Sequence, residues 1–274
     1  MQTKRPAHSS KYPPSRSQLP DFRAATSRYR ARFAQTEADL LSIQRLRYEV
    51  FNLELGEGLA SSHLNQLDRD RFDLQCHHLL VEAIDGDAIV GTYRMQTSEM
   101  ASEGAGFYSM GEFDFSGWPR TLIDASVETG RACIAREHRH RQVLLLLWKG
   151  LASYAISNGK RYVFGCCSLS TQDEALAGRA WEYLRQHGHH DASLPLPAVD
   201  RCRCAYEEAD LRGWEDVKLP QLFRTYLRYG AKIVGEPAID REFQTVDYLA
   251  LVDLRALDTA SMLRQLEFDP QGGR

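Results

Sequence analysis

A basic segment after a predicted strand is the first feature of this sequence that suggests chemistry. Three arginines, Arg136, Arg139 and Arg141, occur within six consecutive residues. A strand is predicted before them, over residues 126–135, and a helix after them, over residues 142–157. The first amides of a helix have no intrahelical partner and lie at the positive end of its dipole, so a basic turn there can bind phosphate. We therefore expect these arginines to bind a phosphate or pyrophosphate group.

Two charged residues of the predicted strand are candidates for catalysis. Glu128 and Arg131 lie three residues apart among apolar neighbours, and a buried acid is costly unless it is paired. Residues at this spacing point to opposite faces of a strand unless a bulge intervenes, and Gly130 is a candidate position for a bulge. A carboxylate in a pocket can accept a proton from an amine nucleophile. The alternative is a structural Glu–Arg ion pair.

Other charged residues precede this strand. Arg47 lies on the apolar side of a predicted helix, where it either extends to the edge of that face or points into a pocket. Asp68, Asp70 and Asp73 occur in a polar segment, residues 56–78. Three close carboxylates are typical of a solvated turn, but they could also bind a cationic substrate.

The overall composition excludes several classes of protein. The chain has 274 residues, 43% of them hydrophobic and 26% charged, with a net charge of −3. This balance argues for a globular protein with a buried core and against a general nucleic-acid binder. We expect no transmembrane helix and no secretory signal, because the long apolar segments that these require are absent. The six cysteines lie mostly in apolar contexts, which favours reduced thiols and a cytoplasmic protein; no metal site is predicted.

The charge is distributed unevenly along the chain. Residues 1–34 hold eight basic residues and one acid. We predict a basic, disordered N-terminal arm over residues 1–27, a single domain over residues 28–256 and a tail over residues 257–274. Such an arm could contact an acidic partner or an anionic membrane surface.

The elements that must position the charged residues follow from periodicity, caps and turns. The predicted order begins with a strand, a helix with a capping box at Thr36 and Asp39, and a hairpin. Residues 97–122 follow as an irregular apolar segment that could form a lid, and after them comes the strand–turn–helix unit described above. A further strand, a helix capped by Thr171 and Glu174, a helix between Pro220 and Gly230, and two last strands complete the order. This order predicts an α/β fold with one mixed, mostly antiparallel sheet and helices on both faces.

Six stretches of the chain resemble the GCN5-related N-acetyltransferase superfamily. Within it they are most similar to the L-ornithine N-alpha-acyltransferases of ornithine lipid synthesis, and they share traits with acyl-homoserine-lactone synthases. The stretches are residues 46–56, 67–81, 127–135, 146–154, 162–169 and 226–243. The D-x-D-x-F-D-x-x-C-x-H segment and the E-x-G-R-x-C strand are the most specific of these motifs.

The resemblance implies a reaction and its substrates. The donor would be a 3-hydroxyacyl chain on the 4'-phosphopantetheine thioester of acyl carrier protein, and the acceptor the alpha-amine of L-ornithine, giving a lyso-ornithine lipid. It implies no metal or redox cofactor, because the thioester is already activated. The protein would work in the cytoplasm, with a possible peripheral contact to the inner face of the cell membrane.

The resemblance also implies roles for residues. Glu128 would be the base and Arg131 its partner or a ligand of the substrate carboxylate. Arg136, Arg139 and Arg141 would bind the phosphopantetheine phosphate. The remaining matched pocket positions, expected to bind substrate, are Arg47, Phe51, Asp70 and Asp73. The superfamily's usual phosphate turn contains glycines and this one has none, which favours a single phosphate over coenzyme A.

Two alternatives remain open from the sequence. One is a related N-acyltransferase with another acceptor, which would be glycine, tyrosine or, as in acyl-homoserine-lactone synthases, S-adenosylmethionine. The other belongs to a different class, an inactive regulator that binds acyl carrier protein.

Overall fold

The computed structural model describes residues 12–257, which form one mixed sheet with surrounding helices. The strands are β1 Arg23–Ala25, β2 Tyr29–Phe33, β3 His77–Ala83, β4 Ile89–Thr97, β5 Ser126–Ile134, β6 Tyr162–Leu169, β7 Lys232–Ile233, β8 Ala238–Asp240 and β9 Thr245–Asp253. The α-helices are α1 Glu37–Tyr48, α2 Ser98–Glu103, α3 Arg120–Asp124, α4 Arg141–Ser157, α5 Glu174–Gln186 and α6 Gln221–Arg228.

The sheet has nine strands in the order β1-β2-β3-β4-β5-β6-β9-β7, with β8 paired to β9. Every pair is antiparallel except β5 with β6, which is parallel. The predicted α/β class and the mixed, mostly antiparallel sheet are therefore confirmed. The single parallel pair lies at the centre of the sheet, where the predicted catalytic strand β5 is located.

Successive residues of β3 show that helices cover both faces of the sheet. Leu80 packs with Leu40 and Ile43 of α1. Leu79 points the other way, to α4, where a Cβ placed on Gly150 would lie 2.5 Å from a Leu79 methyl carbon. Because side chains alternate along a strand, α1 and α4 lie on opposite faces. Glycine at position 150 lets α4 approach the sheet closely.

The first helix begins as its sequence indicates. Thr36 accepts a hydrogen bond from the Asp39 amide, and the Asp39 carboxylate accepts one from the Thr36 amide, which confirms the predicted capping box. The last turn of α1 continues into a π-helical segment, Glu49–Leu55. The capping box predicted at Thr171 is wrong, because Asp173 caps α5 through the amides of Ala175 and Leu176.

The predicted disordered arm is wrong for residues 12–27. Strand β1 pairs with β2, and Tyr12 is buried against the core. The His77 ring donates a hydrogen bond of 2.6 Å to the Pro14 carbonyl oxygen. Residues 1–11 of the predicted arm, and residues 258–274 of the predicted tail, lie outside the described part of the chain.

The segment predicted as an irregular lid is instead packed into the core. It contains α2 and α3, and its aromatic residues Phe107, Phe115 and Trp118 contact Phe164 of β6 with ring centroids 5.0–5.8 Å apart. This cluster covers the α1 face of the sheet, beside the central strands. None of the helices within residues 12–257 combines the length and the apolar character needed to cross a membrane.

Candidate active site

The central parallel strands β5 and β6 separate part-way along their length. They pair from Ser126 and Tyr162 to Glu128 and Phe164, and no further. Gly165 lies where they begin to separate, and a Cβ there would lie 2.2 Å from the Thr129 carbonyl oxygen. A larger residue at this position would collide with the backbone of β5. The separation leaves a notch in the middle of the sheet.

A bulge in β5 directs Arg131 into this notch. Thr92 of β4 faces Cys133, whereas Arg94 faces Gly130, so β5 contains one extra residue between these pairs. Arg131 adopts the left-handed backbone conformation with φ of 50°, which is uncommon for a residue other than glycine. A bulge was expected at Gly130, and the structure centres it one residue later.

One cavity of about 370 Å³ passes through the notch and reaches both faces of the sheet. Its apolar end, on the α4 face, is lined by helices α4 and α6 and by β9. Residues of this end include Tyr93, Trp148, Leu151, Ala152, Val163, Phe223, Tyr226, Tyr229, Ala250 and Val252. Its polar end, on the α1 face, includes Phe51, Glu57, Arg94, Gln96, Tyr108, Glu128, Arg131, Ser168, Ser170 and Asp247.

Beside the polar end lies an arginine network of six alternating charges. It consists of Arg47, Arg94 and Arg131 with Asp68, Asp70 and Asp73. Arg47 is fully buried and contacts Asp68 at 2.6 Å and Asp73 at 2.8 Å. Arg94 contacts Asp70 at 2.6 Å, and Arg131 contacts it at 3.1 Å. The three positive and three negative charges balance.

The network corrects two expectations from the sequence. Arg47 does not extend to the edge of its helix face, and the three aspartates do not form a solvated turn. Burial of these charges is tolerated because each is paired, and the neighbouring arginines lower the pKa of the Asp70 carboxyl to about 2, against the opposing effect of burial. Only Arg94 and Arg131 of the network line the cavity. The remaining four members act on it through these two arginines, so direct substrate binding by Arg47, Asp70 or Asp73 stays a prediction.

Aromatic rings hold the Arg131 guanidinium at the cavity wall. Its central carbon lies 4.1 Å from the centre of the Phe243 ring and 4.8 Å from that of Tyr108. Phe51, predicted to bind substrate, packs edge-on against Phe243 at 5.3 Å and also lines the cavity. The structure therefore brings Phe51, Glu128 and Arg131 together at one end of one cavity.

Glu128 is held by four hydrogen bonds. Its carboxylate accepts from Gln96 Nε2 at 2.7 Å, from the amides of Tyr108 and Ser109 at 2.9 and 2.8 Å, and from Ser109 Oγ at 2.6 Å. The alternative of a structural Glu128–Arg131 ion pair is wrong, because Arg131 pairs with Asp68 and Asp70. Because three of the four donors belong to Tyr108 and Ser109, Glu128 anchors the segment that carries Tyr108. The geometry therefore favours a positioning role for Glu128. The assignment of Glu128 as the base stays a prediction.

Replacing Glu128 by glutamine is expected to weaken the fold as well as the activity. The new amide group would face groups that donate hydrogen bonds, leaving buried donors without partners, at a cost of about 1–3 kcal/mol. Urea unfolding monitored together with kcat measures both effects. A variant of wild-type stability that has lost most of its turnover would instead support Glu128 as the proton acceptor.

A second set of carboxylates, which the sequence reasoning missed, lies at the polar end. This acidic cluster consists of Glu57, Glu112, Asp240 and Asp247. Burial, which removes hydration from the charged form, raises the pKa of Asp247 to about 6 and raises those of Glu57 and Glu112. Glu57 accepts a hydrogen bond from Ser170, and Asp240 accepts one of 2.6 Å from Tyr108. One signal of this cluster was present in the sequence, because Asp247 is an acid within the mostly apolar strand β9.

Part of this cluster has the spacing of a metal site, but its chemistry does not favour one. Within residues 12–257, Glu112, Cys166 and Asp247 have ligand atoms within 4.8 Å of one another. Burial and the neighbouring Glu112 and Asp247 raise the pKa of the Cys166 thiol. A thiol that keeps its proton is a poor metal ligand, because the thiolate is the form that binds.

The predicted phosphate turn lies outside the cavity, at the start of α4. Arg139 forms two hydrogen bonds of 2.7 Å with the Glu54 carboxylate. It also donates one of 3.2 Å to the Ile134 carbonyl oxygen. Arg136 is exposed, and Arg141 is half-buried in the first turn of α4. Phosphate binding by these three arginines stays a prediction.

Strands that part around a cavity, with a helix directly after the basic turn, define the class of this protein. Residues 46–149 match the family model of the acetyltransferase (GNAT) domain, so the protein is an acyltransferase. The chain is 35% identical to the L-ornithine N(alpha)-acyltransferase of Rhodobacter capsulatus, over 85% of this chain and 93% of that protein. It is 32% identical to the enzyme of the same name from Agrobacterium fabrum, over 82% and 81%. The chain belongs to the L-ornithine N(alpha)-acyltransferase family.

Among solved structures, the chain is similar to the acyl-homoserine-lactone synthase LasI. The identity is 12% and the TM-score 0.46, over 82% of this chain and 90% of that chain.

Proposed function

We propose that this protein transfers a 3-hydroxyacyl chain from acyl carrier protein to the alpha-amine of L-ornithine, producing a lyso-ornithine lipid. The observation that carries the proposal is the single cavity through the notch, with one apolar and one charged end. An acyl chain suits the end lined by Trp148, Tyr226 and Val252. A small charged amino acid suits the end with Arg131 and Asp247. The two substrates meet where β5 and β6 part.

The transfer is a direct attack of the amine on the thioester. The amine nitrogen forms a bond to the carbonyl carbon, the carbon–sulfur bond breaks, and the phosphopantetheine thiol leaves with a proton. The nitrogen loses a proton to a carboxylate, for which Glu128 is the candidate predicted from the sequence. Arg131 would orient the acceptor through its carboxylate. The thioester is already activated, so the proposed chemistry requires no metal or redox cofactor, only the 4'-phosphopantetheine-borne acyl group as co-substrate.

The basic turn supports acyl carrier protein as the donor. Arg136 and Arg139 place positive charge beside the first turn of α4, at the positive end of its helix dipole. The turn has no glycine to wrap a pyrophosphate, which favours the single phosphate of phosphopantetheine. Acyl carrier protein is acidic, so the same charges would contribute to docking.

Replacing Arg139 by alanine is expected to raise the KM for acyl carrier protein by about tenfold, with a smaller fall in kcat. A charge-assisted contact to phosphate contributes about 1.5–3 kcal/mol, and part of it is offset here by release of Glu54. Steady-state kinetics with varied carrier protein measures the change, and Arg120→Ala is a control at an exposed arginine outside the basic turn. An unchanged KM would place the phosphate elsewhere.

We also propose that the protein works in the cytoplasm, close to the membrane that receives its lipid product. The support is the basic N-terminal sequence, which includes Lys4, Arg5 and Lys11. Flotation with vesicles containing anionic lipid tests this by comparing the full chain with one that lacks residues 1–11. Equal flotation of the two would remove this role.

The proposed function is tested with purified protein, 3-hydroxyacyl carrier protein and single amino acids, with mass spectrometry of the products. An N-acylated ornithine is expected. Acylated glycine or tyrosine, or a homoserine lactone from S-adenosylmethionine, would overturn the acceptor but keep the reaction. Binding of carrier protein without transfer to any acceptor would support the inactive regulator instead.

A further inference from the structure

Beside the polar end of the cavity lie four buried carboxyl groups, those of the acidic cluster. The three arginines of the arginine network form their ion pairs with Asp68, Asp70 and Asp73. In contrast, within residues 12–257 no ion pair of 4 Å or less involves any member of the acidic cluster. A group of buried carboxylates without cations is costly. A cationic ligand would relieve that cost.

Asp247 is the member of the acidic cluster best placed to meet such a ligand. It lines the cavity, is 3% exposed, and its Oδ1 atom has no hydrogen-bond partner among the described residues. Cys166 follows Gly165 at the notch, and its sulfur lies within 4.8 Å of carboxylate oxygens of Glu112 and Asp247. Asp247 thus presents an unused acceptor close to the point where the strands part, with the Glu112 carboxyl group nearby.

We propose that Asp247, supported by Glu112, binds the side-chain ammonium of the acceptor amino acid and so selects acceptors with a second amino group. This proposal rests on the proposed function and identifies the residues that would decide its acceptor. The alpha-amine lies at the notch, and the side chain extends past Cys166 to the acidic cluster. Arg131, which also lines the polar end, would bind the alpha-carboxylate.

An organic ammonium fits this group better than a metal ion does. It carries hydrogen-bond donors that match the free Asp247 oxygen, and it needs no thiolate ligand. Its charge would shift both carboxyl groups toward their ionised forms, because an opposite charge within a few ångströms favours ionisation. Glycine and tyrosine have no side-chain ammonium and would leave the acidic cluster unpaired.

The test compares L-ornithine with L-norvaline, which has the same carbon skeleton but lacks the side-chain amine. Wild-type protein is expected to prefer ornithine in kcat/KM by at least about 30-fold, the effect of leaving a buried charge without its partner. In Asp247→Asn the KM for ornithine should rise by a similar factor, the preference over norvaline should collapse, and kcat should be largely kept. Glu112→Gln should produce the same changes to a smaller extent.

Two controls distinguish loss of ammonium binding from unfolding and from a general effect of removing a carboxylate. Asp200→Asn removes a carboxylate at an exposed position and should leave both substrates unaffected, and thermal unfolding of each variant shows that it is folded. A fall in kcat with KM and preference unchanged would overturn the proposal and indicate that Asp247 accepts the proton instead. Equal use of ornithine and norvaline by wild-type protein would also overturn it, whereas no ornithine acylation by wild-type protein would overturn the proposed function.

Discussion

Replacing Arg47 by methionine is expected to lower the free energy of unfolding by about 3–5 kcal/mol, because it leaves buried carboxylates without their partner. Arg47 is fully buried and contacts Asp68 and Asp73 at 2.6 and 2.8 Å. Methionine fills similar space but supplies no charge. Urea unfolding at neutral pH, followed by circular dichroism, measures the loss. Activity is expected to fall as well, because Asp68 also holds Arg131.

Arg161→Met is the matched control for this substitution. Arg161 pairs with Asp253 at the surface, where the two side chains are 39% and 26% exposed. A pair in contact with water typically contributes about 0–1 kcal/mol. The structure implies that the charges of the arginine network stabilise one another. A loss of free energy of unfolding in Arg47→Met no larger than in Arg161→Met would contradict this.

Replacing Ala152 by phenylalanine is expected to shorten the acyl chain that the enzyme accepts. Ala152 lies one helical turn after Trp148 on α4, and both line the apolar end of the cavity. A benzene ring there would occupy the space proposed for the distal part of the chain. Since a hydrophobic pocket discriminates about 10–200-fold for each methylene that no longer fits, kcat/KM for long donors should fall by about 100-fold or more relative to short donors.

The measurement is kcat/KM for a series of 3-hydroxyacyl carrier proteins of increasing chain length. Ile156→Phe provides the control, since Ile156 is on the same helix but is 73% exposed and does not line the cavity. It should leave the chain-length profile unchanged. An unchanged profile in Ala152→Phe would place the acyl chain outside this cavity and would remove the main support for the proposed arrangement of substrates.

Local patterns were sufficient for most of the fold. The capping box at Thr36, the hairpin after β3 and the apolar helix α4 depend on interactions between residues close in sequence, and the structure confirms them. This reasoning missed helices α2 and α3, strands β1 and β8, and the cap of α5. Strand β1 is a short edge strand in a basic, polar context, and Asp173 rather than Thr171 caps α5. Short edge strands form because a neighbouring strand accepts them, which a local pattern does not reveal.

The candidate site also has features that local sequence reveals and features that only the fold reveals. The sequence by itself determined the family, the central strand with Glu128 and Arg131, and the basic turn before α4, because these are contiguous motifs. Only the tertiary structure decided which charges are paired and which face the cavity. Arg47, Asp68 and Arg131 come from three separate segments, and Asp247 comes from β9, late in the described chain. The energy of a buried charge depends on neighbours that folding brings together. Ion pairs therefore hold Arg47 and Asp73 in the arginine network, whereas Asp247 lines the cavity with an unused oxygen.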